Sequence, residues 1–184
     1  QKIRDNNMEA HVVSSCQQLY ETLDKLILDG SSVCIGGSMT LEETGVLDYL
    51  REREIIFYDK EEARRAGVSA LSDMNRQAFS VDNYVTSTNA ITKDGWLYNI
   101  DANGNRVAAM MYGPKNVIVI CGRNKWVVNV EEAQQRIAEY ASPVNCTRLG
   151  RKTPCVHTGS CQDCDSPDRI CNMYTLIKKT PQKN

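Results

Sequence analysis

Along this 184-residue chain, short apolar runs of strand length alternate with longer stretches at helical spacing, and that alternation constrains the fold more than any other feature. SVCI, IIFY and NYV are strand-like. Between and around them, SCQQLYETLDKLILDG sets Leu19, Leu23, Leu26 and Ile27 on one helical face before Gly30 stops it. Thr40-Leu41-Glu42-Glu43 has the form of a capping box that starts a helix through Tyr49 and Leu50, and KEEARRAGVSALSDMNRQAF is mostly helix-forming. Strands that alternate with helices imply an α/β chain with a mostly parallel sheet between helical layers.

Other segments refine this reading. AHVVSS reads as a short strand ahead of the first long helix. NYVTSTNAITKDGWLYNID is rich in β-branched and aromatic residues about Asp94-Gly95, a strong local signal for strand reversal. Asn103-Gly104-Asn105 turns into the small-residue helix RVAAMMYG, which Pro114 closes. NVIVIC is apolar throughout its middle, the pattern of a central strand covered on both faces. Asn129 caps NVEEAQQRIAEYA, and Pro143 ends it. At this length roughly 70% of the unfolded surface can be buried, enough for one substantial core. The expected organisation is an α/β body over residues 1–150 and a cysteine-rich extension over 151–184.

Charge narrows the function. Lys and Arg total 22 against 23 Asp and Glu, for a formal net charge of −1. The electrostatic footprint of a nucleic-acid or anionic-membrane binder is missing. No stretch has the length and hydropathy of a membrane span, and QKIRDNNMEAHVV lacks the apolar core of a secretory signal. A cytoplasmic location is expected, with the start at Gln1 leaving an upstream segment open.

In an open α/β sheet, ligands gather beyond the carboxyl ends of strands. Three loops have that position: Gly36-Gly37-Ser38-Met39-Thr40 after SVCI, Thr86 to Thr92 after NYV, and Gly122-Arg123-Asn124-Lys125 after NVIVIC. They supply glycines for close backbone approach, hydroxyls and amides from Ser38, Thr40, Ser87, Thr88 and Asn89, and cations in Arg106 and Lys125, with Asn105 beside Arg106. This chemistry suits a phosphate or a carboxylate. Each part also has a plain use: paired glycines make turns, Thr40 with Glu43 caps a helix, Asn105 starts one, and surface cations are solvated.

The last thirty residues gather Cys155, Cys161, Cys164 and Cys171, while Cys16, Cys34, Cys121 and Cys146 are scattered through apolar or helical stretches. In a reducing compartment, clustered thiols are more often metal ligands or redox groups than structural bridges. Ser166-Pro167 has the form of a helix start, which places Cys171 in a short helix and folds the group towards one point, with His157 as a spare ligand. Zinc there would be a structural clip. An iron–sulfur cluster would be an electron relay. A metal-free tail remains the third reading, because the spacing matches neither the paired C-x-x-C zinc pattern nor ferredoxin runs.

The stretches CIGGSMTLEETG, YVTSTNAITKDGWLYNIDANGNRVAAMMYGPKNVIVICGRNK and TPCVHTGSCQDCDSPDRIC resemble the LUD domain family, named for lactate utilisation. The resemblance implies a bacterial or archaeal cytosolic protein of three-layer α/β/α fold, similar to ribose-phosphate isomerases, glucosamine-phosphate deaminases and CoA transferases. Relatives accompany iron–sulfur and oxidase-like proteins in oxidising lactate to pyruvate, so a small anionic metabolite and redox proteins are the implied partners, with an oligomer left open. Isomerases of this fold carry carboxylates where this chain has Ser87-Thr88-Asn89-Ala90. They carry a polyglycine phosphate loop where it has Asp101 to Asn105. Hydroxyls and amides are poor bases at neutral pH, which leaves Asp101 as the one nearby carboxylate to nominate for catalysis. CoA transfer needs a nucleophilic glutamate, and Glu42 and Glu43 look helical and capping.

Overall fold

The computed structural model describes residues 1–181. In chain order the first half contains α1 (Lys2–Asp5), α2 (Cys16–Leu26), β1 (Ser32–Ile35), α3 (Met39–Glu43), α4 (Val46–Arg51), β2 (Ile56–Tyr58), α5 (Lys60–Ala66), α6 (Val68–Gln77) and β3 (Asn83–Thr86). Then come β4 (Ala90–Thr92), β5 (Leu97–Asp101), α7 (Asn105–Tyr112), β6 (Asn116–Val119), a 3₁₀ turn at Arg123–Lys125 and β7 (Trp126–Val127). The last part is α8 (Val130–Arg136), a π-helical turn at Ile137–Ala141, α9 (Ser142–Arg148), α10 (Cys155–Thr158) and β8 (Met173–Ile177). The chain is α/β with helix-flanked sheets, as its alternation implies, and most strand pairings are parallel. The strands divide between two four-stranded sheets, each in its own compact unit.

One unit, residues 10–87 and 108–122, holds a wholly parallel sheet of order β2-β1-β3-β6. Its strands β1 and β3 pair Val33 with Asn83, Cys34 with Tyr84 and Ile35 with Val85. Leu23, Ile27, Val33, Leu41, Val46, Leu50 and Val85 are fully buried, each contributing roughly 1.5–3 kcal/mol of hydrophobic stabilisation. Ser15 caps α2 by accepting from the Gln18 amide at 3.2 Å. Two helices expected to run on are broken at glycines: Gly45, at φ 68°, separates α3 from α4, and Gly67, at φ 111°, separates α5 from α6. Both take a backbone conformation that side-chain-bearing residues avoid.

Three expectations change here. AHVVSS is not a strand: among the described residues no strand pairs with it, Val12 is 99% exposed, and its end places the Ser15 cap. NVIVIC yields β6, which pairs only with β3 and is the edge of its sheet rather than its centre. β3, buried at all four residues, occupies the central place with β1. The capping box also shifts by two: Ser38, not Thr40, caps α3, its Oγ accepting from the Thr40 amide at 3.1 Å.

The other unit, residues 1–9, 88–107 and from 123 onward, holds a mixed sheet of order β7-β4-β5-β8. β4 and β5 form the expected antiparallel reversal about Asp94-Gly95. Gly95 sits at φ 78° and donates to the Thr92 carbonyl at 2.8 Å. A Cβ there would approach the Ile3 amide to 2.8 Å, so the turn needs glycine twice over. β8 comes from the tail and pairs with β5 from Leu97↔Ile177 to Asp101↔Met173. Ala90, Tyr98, Val127, Ala133 and Ile137 form the core, with Leu176 of β8 packed on it.

Asn129 does cap α8, accepting from the Glu132 amide at 2.9 Å. Pro143, however, does not end the helical run. The π turn at Ile137–Ala141 precedes it, and the proline falls in the first turn of α9, where its missing N–H costs little. Ser166-Pro167 makes a turn rather than a helix, closed by the Asp168 amide donating to Ser166 Oγ at 3.2 Å, and Cys171 lies in the irregular segment leading to β8. Among the described residues no helix is long and apolar enough to cross a membrane.

Candidate functional site

In the parallel-sheet unit the carboxyl ends of β1 and β3 lie side by side, so Gly36-Gly37-Ser38 and Thr86-Ser87 leave the same edge. The Gly36 amide donates to the Val85 carbonyl at 2.9 Å, which pins the two exits together. A Cβ on Gly36 would overlap Thr86 Oγ1 and come within 2.7 Å of the Tyr84 hydroxyl, so this first glycine is required by packing. The second is different: a Cβ on Gly37 would stand 3.4 Å from Lys60 Nζ. Lys60, the first residue of α5, therefore brings an ammonium to the glycine turn. Ser38 Oγ accepts from Thr40 N, which leaves its own proton for another acceptor. Thr40, two residues on, and Ser87, at the exit of β3, are both buried.

The carboxylate next to Lys60 is occupied. Asp59 accepts from Arg51 Nε at 2.7 Å and from the Glu61 amide at 2.8 Å. Burial alone would raise its pKa, but the Arg51 hydrogen bond and the Glu61 amide outweigh it and hold the carboxyl below its usual range.

In the mixed-sheet unit the expected residues are tied to backbone. Thr88 Oγ1 donates to the carbonyls of Ala90 at 2.9 Å and Tyr98 at 3.2 Å. Arg106, only 12% exposed, donates to Asn99 Oδ1 at 2.8 Å, Asn89 Oδ1 at 3.0 Å and the Ile100 carbonyl at 2.9 Å, with Asp101 Oδ2 at 3.7 Å from its Nε. Asn89 Oδ1 also accepts from the Ile100 amide at 3.0 Å. Asp101 accepts from the Ala102 and Val107 amides at 3.0 and 3.2 Å, the part of a turn and helix-start cap rather than of a free base. Asn99 is wholly buried, and its Nδ2 has no hydrogen-bond partner among the described residues. Asn105 opens α7, and Lys125 ends the 3₁₀ turn.

The four tail cysteines converge. Cys155, Cys161, Cys164 and Cys171 line one small cavity together with Cys146 of α9, Thr153 and Arg169. Thr153 Oγ1 lies 3.2 Å from Cys155 Sγ, and the Cys171 thiol donates to Ser142 Oγ at 3.2 Å. Burial pushes the Cys146 thiol up to about 11, opposed by the Thr153 hydroxyl and reinforced by its hydrogen bond to Cys155. Burial likewise raises Cys171, against the Ser142 hydrogen bond. Arg169 clasps the segment, donating to the carbonyls of Cys164 at 2.6 Å and Cys171 at 3.0 Å and to Asp163 at 2.8 Å. All eight cysteines are free thiols. As they stand, no three His, Cys, Asp or Glu side chains among the described residues are arranged to hold a metal ion.

Two residues escaped sequence reasoning. Lys60 stands two residues past the end of the IIFY run, and treating every strand exit as a potential rim would have included it. Cys146 stands nine residues before Cys155, but its helical surroundings gave it the reading of a small buried hydrophobe.

A parallel sheet flanked by helices, with a glycine turn at its carboxyl edge, defines a domain of the α/β class. The chain belongs to the LUD domain family, whose profile matches residues 1–184. Compared with curated proteins, it gives no significant match.

Proposed function

We propose that this LUD-domain protein binds a small anionic metabolite, a carboxylate or a phosphate, at the carboxyl edge of its parallel sheet, in the service of lactate or related carboxylate redox metabolism in the cytoplasm. The observation that carries the reading is the pairing of β1 with β3, which puts the Gly36–Ser38 turn against Thr86-Ser87, with Lys60 Nζ at Gly37. Gly37 permits close approach of the guest to backbone, Ser38 donates its hydroxyl proton, and the Lys60 ammonium supplies the opposite charge. Thr40, buried behind Ser38, fixes the serine through its amide. Arg106, a cation favoured from sequence, has its fork committed to Asn89, Asn99 and Ile100, so its part is to tie the start of α7 to β5 and to the residue before β4. Iron–sulfur and other oxidoreductase proteins are the partners this role calls for.

Thermal unfolding in the presence of lactate, pyruvate, a sugar phosphate and CoA tests the reading. A ligand that binds the folded form at a hundred times its Kd stabilises by about 2.7 kcal/mol. The expected result is a dose-dependent rise in Tm with at least one of these anions, lost in Lys60→Gln and weakened in Ser38→Ala. No response at millimolar concentration, or an unchanged response in both variants, removes the proposal.

A further inference from the structure

Five of the eight cysteines line a single cavity, and they reach it from separate pieces of chain: Cys146 from α9, Cys155 from α10, Cys161 and Cys164 from the loop, and Cys171 from the segment before β8. Only the last four are grouped in sequence, so the folding of the chain itself adds Cys146. We propose that Cys146 joins the tail cysteines in one thiolate centre for a thiophilic metal, bound by four sulfurs drawn from these five. The proposal is independent of the anion site.

Several features of the cavity suit this chemistry. Pairing five thiols as disulfides always leaves one over, whereas a four-coordinate soft metal takes four and tolerates a fifth nearby. The hydroxyls of Thr153 and Ser142 lie 3.2 Å from the sulfurs of Cys155 and Cys171, where each can donate to a thiolate and offset its charge. A divalent ion held by four thiolates carries two net negative charges, and the Arg169 guanidinium lines the same cavity while holding the Cys164 and Cys171 carbonyls in place. An approach exists too: a second, wider cleft bordered by Tyr98, Gln134, Ala138 and Tyr174 shares Cys161 with the cavity and is also lined by Ser142, the hydrogen-bond partner of Cys171.

Because no three ligands among the described residues are poised to coordinate as they stand, loading must draw the sulfurs inward. Four thiols binding one divalent ion release four protons, so uptake strengthens as pH rises. Bound metal then links α9, α10 and the tail segment, and the folded state gains stability with metal concentration.

The test uses the full chain, reduced and stripped of metal under anaerobic conditions. In one arm it is titrated with Co²⁺. In the other it is supplied with Fe²⁺ and sulfide. An intense sulfur-to-cobalt absorption at one ion per chain, displaced by Zn²⁺, is the mononuclear outcome, and a stable brown chromophore with stoichiometric iron and sulfide is the cluster outcome. Either supports the thiolate centre and says which metal it takes. Uptake in neither arm, with all thiols shown to be reduced, overturns it.

Membership of Cys146 is read on the unmutated protein loaded with ¹¹³Cd²⁺, by scalar coupling of the metal to cysteine β-protons. Coupling to Cys146 is expected. Four coupled cysteines that exclude Cys146 would overturn its place in the site. Should the iron arm alone succeed, Cys146→Ser decides instead: because the spare thiol could replace Cys146 only if its segment rearranged, cluster yield should fall about ten-fold, the lower end of what loss of even an outer-shell partner costs, with Cys16→Ser unchanged. Full yield in Cys146→Ser would overturn the assignment, and Cys161→Ser, at a half-buried position, gives the same reading for the tail if the buried variant does not fold.

Discussion

Arg106 donates through Nη1 to Oδ1 of Asn99 at 2.8 Å, and that bond turns a cation which looked available to a ligand into a fastener between the start of α7 and β5. The same guanidinium bridges Asn89 Oδ1 and the Ile100 carbonyl, with Asp101 at 3.7 Å. Because Asn99 Oδ1 is fixed as acceptor by Arg106, its Nδ2 must point the other way, and this is the buried donor that lacks a partner among the described residues.

Replacing Arg106 therefore destabilises the protein, whatever it does to ligands. Arg106→Ala takes the guanidinium from two carboxamide oxygens, which keep only the Ile100 and Asn89 amides as donors at 3.0 and 3.4 Å, and from the Ile100 carbonyl, and a loss of about 1–3 kcal/mol is expected. Arg106→Lys should recover less than half of that, because a single ammonium cannot span the three acceptors that the planar fork reaches. Urea unfolding of the two variants beside the parent measures both. A loss under about 0.5 kcal/mol in the alanine variant, the range of ordinary surface changes, would show the network to be idle.

The two adjacent glycines at the sheet edge should respond in opposite ways. Gly36→Ala drives a methyl into Thr86 Oγ1 and the Tyr84 hydroxyl, between strands whose pairing fixes the edge, and a cost of about 1–3 kcal/mol follows from overpacking. Gly37→Ala meets only the far end of the Lys60 side chain at 3.4 Å, which can move aside. Its stability should stay within about 0.5 kcal/mol of the parent, while any anion response weakens, because the methyl occupies the space a guest would need. Thermal unfolding with and without ligand separates the two effects.

Acid should unfold the protein partly through Asp59. The folded state holds its carboxyl below the usual range, so the unfolded chain takes up the proton first. The resulting stabilisation is complete above the unfolded value near 3.9 and disappears as pH falls through the lower folded value. Asp59→Asn removes this contribution. Its urea midpoint should lie below the parent's at pH 6 and approach it below about pH 3, and parallel curves across that window would contradict the assignment.

Much of this was written locally in the chain, and what was not shows why. The β4–β5 reversal, the Ser15 and Asn129 caps and the strands β1, β2 and β3 follow from neighbouring residues alone. The interruption of helices at Gly45 and Gly67 was also visible in principle, since each glycine adopts a positive φ that a continuing helix forbids. The π turn before Pro143 was not, because it accommodates a proline through hydrogen bonds made further along. Strand order is likewise a long-range property: NVIVIC has the composition of a central strand, yet β3 takes that place and leaves β6 at the edge. The same division applies to the sites. The glycine turn and the tail cysteines announce themselves by spacing, whereas Lys60 and Cys146 join them only through folding, and Arg106 is drawn away by acceptors on β5 and at Asn89, just before β4.

Two cysteines in the parallel-sheet unit offer a reading of its internal stability. Cys34 is buried in β1, its sulfur 3.8 Å from the Met74 carbonyl, and burial pushes its thiol up to about 11, while Cys16 is exposed at the start of α2. At pH 8 only about one Cys34 in a thousand would be thiolate, and even that fraction is shielded from reagent. Iodoacetamide should therefore modify Cys16 within minutes and reach Cys34 only through opening of the sheet, at a rate that rises with urea in step with global unfolding. Peptide mass spectrometry over a time course follows both sites at once. Labelling of Cys34 that is fast and independent of urea would mean that β1 separates from α6 without unfolding, contrary to the close packing of this core.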